Sequence, residues 1–127
     1  MSVDFHPYVF DPGDHVWKFP PRAHSMPFEF NLSNANAADL LNALGLPYDV
    51  NAEPMPLGAL SGLVTAALRR HLDKRSPELP TMTDRTPGKM TVVYCGRREG
   101  YIEERLGDLA TLIQHGRAIG ATHIGWG

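Results

Sequence analysis

A single cysteine, Cys95, rules out a disulfide within the chain and any zinc or iron–sulfur site built from several thiolates. Long apolar runs are missing too. The most hydrophobic window, Ala59 to Leu68, has ten residues and is broken by Ser61, Gly62 and Thr65, well short of the roughly 20 that cross a bilayer. The first lysine is Lys18 and Asp4 stands near the start. An export signal, which needs a basic stretch before an apolar one, is therefore not expected, and the reading is a cytoplasmic protein with no membrane partner. Neither sign of charge dominates: 12 Lys and Arg oppose 14 Asp and Glu, a formal charge of -2. Nothing in that balance attracts a phosphate polymer, so dedicated nucleic-acid binding is not expected.

What is present suffices for one core. A chain of 127 residues is the size of one ordinary domain, and area scaling lets such a chain hide about two thirds of its extended surface. Leu, Ile, Val and Phe fill 30 of the 127 positions, or 24%, above the ~20% below which a charged chain tends to stay disordered. These tallies name no activity.

Proline supplies the punctuation, because it fixes φ and cannot donate to a helix or a central ladder. Eleven prolines leave three free windows, 28–46, 57–76 and 88–127. In the first, Met26, Phe28, Phe30 and Leu32 alternate with polar residues and Pro27, the period of a half-buried strand. Ser33 or Asn34 can then cap a helix along Ala37, Leu40, Leu41 and Leu44, with Gly45 as the stop. The second window carries a helical stripe of Leu57, Leu60, Leu63, Val64, Ala67, Leu68 and Leu72. Residues 76–89 have no period and read as an exposed loop.

The third window begins with Met90 to Cys95, a continuous apolar run of the kind that forms a strand covered on both faces. A helix follows on Ile102, Leu106, Leu109 and Ile113, closed by Gly116 or Gly120, and Thr122 to Trp126 forms a last strand. Strand, helix and strand in one sheet predict a parallel, right-handed unit. Gly107 and Gly125, each inside such an element, suggest close approach of another group.

The first 25 residues hold two aromatic runs, Phe5 to Phe10 and His15 to Phe19, around Asp11-Pro12-Gly13-Asp14. That turn chemistry predicts a hairpin pairing Phe10 with His15 and Tyr8 with Trp17. One face would hold His6, Tyr8, Phe10, His15, Trp17 and Phe19, either as a hydrophobic flap over the core or as a ligand cage.

If both strand-to-helix turns open at one sheet edge, they pool amides and guanidinium groups there. Asn31, Ser33, Asn34 and Asn36 come from one turn, and Gly96, Arg97, Arg98, Gly100 and Tyr101 from the other. Such a set at a helix N-terminus could hold a phosphate or carboxylate. Equally, the glycines shape the turn, the arginines pair with acids and the asparagines cap. Neither the Walker pattern nor Gly-x-Gly-x-x-Gly occurs.

Cys95 before a glycine turn invites comparison with thiolate phosphatases, whose loop needs an arginine six positions on. Here that position is Tyr101, so a nucleophilic Cys95 competes with an inert one ending a strand. None of the six histidines has an established ligand spacing, so no metal site, cofactor or catalytic histidine is assigned.

The stretch from Phe28 to Ala37 with Leu44-Gly45-Leu46, together with Gly96-Arg97-Arg98-Glu99-Gly100-Tyr101-Ile102-Glu103-Glu104-Arg105-Leu106 and the ending Ile124-Gly125-Trp126-Gly127, resembles small bacterial and phage-associated proteins. No activity attaches to that group, so the resemblance implies no role for any residue.

The expectation is one α/β or α+β domain over 1–127, with an aromatic flap at 1–25 and a core at 26–127. The core would hold a mixed sheet of about four to five strands, three helices and the C-terminal parallel unit. The favoured activity is binding of an anionic or nucleotide-like small molecule at the paired turns. The rival is a protein-interaction or homo-oligomeric accessory module anchored by Tyr8, Trp17, Phe19 or Trp126. A transferase or hydrolase using Cys95 stands third, because no base is placed beside the thiol.

Overall fold

In the computed structural model the described residues are 2–11, 13, 16–20, 30–49, 52–84, 87–88, 92–94 and 96–127. Strand β1 (Ser2–Asp11) buries Val3, Phe5 and Pro7 and leaves Ser2, His6 and Phe10 exposed. That is the two-residue period of a sheet covered on one side. Far from being a flap, β1 lies inside a five-stranded sheet of order β2-β1-β7-β4, with β3 also pairing β1. Here β2 is Val16–Lys18, β3 Phe30–Ser33, β4 Met55–Pro56 and β7 His123–Trp126. Pro7 tolerates this place for a geometric reason. Asp4 exchanges both backbone bonds with Gly127, and the antiparallel alternation then directs the Pro7 nitrogen away from β7. On that side β3 covers residues 2–5 and β2 covers residues 9–11, so the missing N–H falls opposite the break between them.

All four pairings in the main sheet are antiparallel. The fold is mixed α and β with three helices, but the expected parallel unit is not found among the described residues. β6 (Val92–Tyr94) pairs antiparallel with β5 (Met82–Asp84) in a separate two-stranded ribbon, while β7 joins the main sheet beside β1. The apolar run of β6 marked a strand correctly; the error lay in assigning it to the same sheet as β7. The segment 76–89, which reads as an exposed loop, supplies its partner.

Helix α1 (Asn34–Ala43) begins where Ser33 Oγ accepts from the Asn36 amide at 3.3 Å and stops before Gly45, whose φ is +78°. Helix α2 (Leu57–Arg70) follows Pro56, and Leu72 lies past its end, 78% exposed, outside the stripe expected to include it. Helix α3 (Tyr101–Ala118) ends ahead of Gly120 at φ +86°. The three helices pack on one sheet face. Val3, Phe5, Phe30, Leu32, Ile124 and Trp126 meet Leu40 and Leu41 of α1, Leu60 and Val64 of α2, and Leu106, Leu109 and Ile113 of α3 in one core. No described helix is long and apolar enough to cross a membrane.

Candidate functional site

The two turns do meet. The Arg97 guanidinium reaches Asp39 Oδ2 at 2.6 Å and Asn36 Oδ1 at 3.4 Å, and Asn36 Nδ2 donates to the Tyr101 hydroxyl at 3.4 Å. Arg97, Asn36 and Tyr101 thus form one cluster between α1 and α3. The remaining residues of the proposed set go elsewhere. Asn31 points to the helix-free sheet face and donates to Asp4 Oδ1 at 2.6 Å. Ser33 caps α1, and Asn34 starts it. Arg98 is exposed and pairs with Glu104. Gly96 lies against the backbone of Leu79 and Pro80, so tightly that a Cβ there would fall 2.6 Å from the Pro80 carbonyl carbon. Gly100 precedes α3 at φ +78° beside the Arg75 guanidinium, and its amide donates to the Ser76 carbonyl at 3.0 Å. Both glycines shape the turn. Cys95 lies outside the described residues.

The amides that an anion would need at the start of α3 are already held by the chain. Ser76 Oγ accepts from the Ile102 amide at 3.3 Å and donates to Glu103 Oε2 at 2.7 Å, while Glu103 Oε1 accepts from the Ser76 amide at 2.7 Å. This is the reciprocal logic of a capping box, with the serine supplied from outside the helix, 27 positions back. His71 Nδ1, just past α2, lies 2.6 Å from the same Oε1. Burial works to raise the Glu103 carboxyl; hydrogen bonds from Ser76, its own backbone amide and His71 outweigh it and hold it at about 2. Ser, His and Glu here are no nucleophile relay. Serine and histidine both address the carboxylate, and Ser76 is buried with its hydroxyl engaged. Nothing local to Glu103 in the sequence signals a partner so distant.

The second concentration of recognition chemistry lies on the sheet face away from the helices. Residues directly opposite in an antiparallel pair share a face, so Phe10↔Trp17 and Tyr8↔His123 place these four on one side. The hairpin therefore forms with its register moved by one pair step. Trp17 meets Phe10 rather than Tyr8, and the proposed partner His15 lies outside the described residues. A two-residue shift leaves every side chain on its expected face.

Phe19 folds over this surface, stacked on Tyr8 with centroids 5.2 Å apart and edge-on to His6 at 5.8 Å. Phe10 and Trp17 lie 4.9 Å apart, and Trp17 meets the His123 ring at 4.7 Å. His123 Nδ1 lies 2.7 Å from the Thr122 hydroxyl, and partial burial lowers its pKa below the ordinary 6.5. The rings cover no part of the helical core, so the flap expectation is corrected. Trp126, expected among the anchors, is buried against Phe5 on the other face.

Among the described residues no group of three His, Cys, Asp or Glu could hold a metal ion. No protein-family model, curated protein or solved structure matches this chain.

Proposed function

We propose that this chain is a protein-interaction module whose contact surface is the aromatic face of its sheet. The observation that carries the reading is the placement of Tyr8, Phe10, Trp17 and Phe19 together on the helix-free face, with Phe19 61% exposed. Clustered exposed aromatics on one surface favour association, because they bury large area at little cost in side-chain freedom. The test is a Phe10→Ser/Phe19→Ser double variant of the full chain. The expected result is an unchanged far-UV spectrum, a melting temperature within about 4 °C of wild type and a clear loss of fluorescence from an apolar-surface dye. Loss of cooperative folding would show instead that the rings are a structural layer.

A second reading, an anionic small-molecule site at Asn36, Arg97 and Tyr101, has one observation in its favour. Arg97 is only 10% exposed, and its Nε is buried with no hydrogen-bond partner among the described residues. It ranks second because Asp39 already neutralises that guanidinium. Inorganic phosphate and nucleotides should raise the melting temperature of wild type, and not of Arg97→Ala, if the site is real; indifference of the wild type removes it.

A further inference from the structure

The carboxylate that closes the α3 cap also fixes the proton of an imidazole. Glu103 stays ionised down to about pH 2, and an ionised carboxylate only accepts hydrogen bonds. His71 Nδ1, 2.6 Å from Glu103 Oε1, is therefore the donor, and in the neutral ring the lone pair is left on Nε2. That nitrogen has no partner among the described residues and is not buried. The His71 side chain is 23% exposed, and Leu72 beside it stands in solvent. A carboxylate on one ring nitrogen raises the basicity of the other, so the end of α2 presents an oriented lone pair outward.

We propose that His71 Nε2 is a phosphoryl-acceptor site, taking the group from a small donor of the phosphoramidate or acyl phosphate class. The site is separate from the aromatic face and does not depend on it.

The surroundings decide among the uses of such a nitrogen. A metal needs further ligands, and no group of three His, Cys, Asp or Glu is placed to supply them among the described residues. A general base needs the group it deprotonates within hydrogen-bond reach, and the nearby Ser76 hydroxyl is committed to Glu103 Oε2 and the Ile102 amide. A nucleophile needs only access and an electrophile that the local charge favours. Arg69, Arg70, Lys74 and Arg75 stand within four positions of His71, against Asp73 alone. The Arg75 guanidinium lies over Gly100, whose amide joins the same cap through the Ser76 carbonyl. Such surroundings favour a dianionic phosphoryl group over a neutral acyl group.

In the transfer, the Nε2 lone pair forms a P–N bond as the donor's own bond to phosphorus breaks. The electrons of that bond depart with the leaving group, which is ammonia for phosphoramidate protonated on nitrogen. The ring becomes an imidazolium that keeps its Nδ1 proton, and the Glu103 carboxylate faces the new charge at 2.6 Å.

The probe is potassium phosphoramidate, added to the full chain at about pH 7.5, where an ordinary imidazole is mostly neutral. Phosphorus NMR and peptide mapping should place one acid-labile, alkali-stable phosphoryl group on His71. It should form there about tenfold faster than at any other of the six histidines. His71→Gln should abolish that label. Glu103→Gln keeps an oxygen that accepts from Nδ1 but loses the charge, and should slow the transfer about tenfold. Nitrogen NMR of the wild type should show His71 as the Nδ1–H tautomer, the reverse of the form free histidine prefers. An unlabelled His71, equal rates at the six histidines, a folded Glu103→Gln as fast as wild type, or an Nε2–H tautomer overturns the proposal. Should Glu103→Gln fail to fold, the tautomer and the ranking of rates within the wild type decide.

Discussion

The Tyr8 ring lies over Gly125 so closely that a Cβ at position 125 would stand 2.7 Å from Tyr8 Cε2 and 3.1 Å from Pro54 Cγ. Glycine in β7 therefore allows the tyrosine to lie flat on the sheet, where Phe19 stacks on its outer side. The close approach expected at this glycine is what the fold contains.

Gly125→Ala should accordingly destabilise the chain by about 1–3 kcal/mol, the usual cost of forcing a methyl group into occupied space. Tyr8 must rotate away, and the Tyr8–Phe19 stack goes with it. Urea unfolding of the variant measures the cost, and the aromatic ring-current shifts of Phe19 report the stack; a neutral substitution with unchanged shifts would contradict the geometry.

Gly107 gives the opposite sign. It is exposed in the interior of α3, and a Cβ there meets nothing within 4 Å, so the close approach expected from its place in the sequence is absent. Gly107→Ala should stabilise by up to about 1 kcal/mol through helix propensity and a less mobile unfolded chain. The same urea experiment reads it, and a loss of stability would mean that space is not free.

What could be read from the sequence divides along sequence distance. Ser33 as cap, Gly45 as stop and the buried stripe of α3 are local decisions, made by residues three or four apart, and the structure places them as expected. The sheet partners of β6 and β7 are non-local. Nothing in Val92–Tyr94 says that its ladder runs to Met82–Asp84 rather than to the main sheet. Phe5 to Phe10 reads as one arm of a hairpin, and nothing local to it says that the same strand also pairs β3 and β7, with Pro7 facing the gap in its edge pairing. For the candidate site, Arg97 does reach Asn36, but not across the shared parallel edge on which that expectation rests, and the pairing of Arg97 with Asp39 and the filling of the α3 amides by Ser76 depend on residues that no pattern singles out.

The Ser76–Glu103 box makes acid stability specific. The folded carboxyl titrates at about 2 against an ordinary 4.5. Above 4.5 both states are ionised and the contribution is complete. As pH falls from 4.5 toward 2 the unfolded chain takes up the proton first, so stability declines across that window. Glu103→Gln should flatten that part of the stability–pH curve and cost about 2 kcal/mol at neutral pH, from lost bonds to a charged acceptor. Ser76→Ala should cost about 1–2 kcal/mol as the loss of a helix cap. Chemical denaturation between pH 2 and 7, in steps of about one unit, gives both values, and an unaltered slope in Glu103→Gln would remove the box from the account.

Arg97 and Arg98 are neighbours in sequence with different expected costs. The Arg98–Glu104 pair is exposed on both sides, and pairs of that kind contribute about 0–1 kcal/mol. Arg97 is largely buried and bonds Asn36 as well as Asp39, so its removal also strips packing and leaves Asn36 without that donor. Arg97→Ala should cost about 2 kcal/mol and Arg98→Ala less than about 0.5 kcal/mol. Equal effects in denaturant titrations would mean that the cluster between α1 and α3 does not hold the guanidinium as the structure shows.

His123 ties the aromatic face to pH. Its ring is partly buried beside Trp17 and next to the Thr122 hydroxyl, and burial lowers its pKa below 6.5. Between the folded value and 6.5 the unfolded chain binds more protons than the folded one, so stability rises with pH through that interval and is lost as the solution is acidified. An NMR titration of the His123 ring should place its midpoint below 6.5, and His123→Gln should remove its part of the stability gradient. A midpoint at or above 6.5 would mean that the ring is not desolvated.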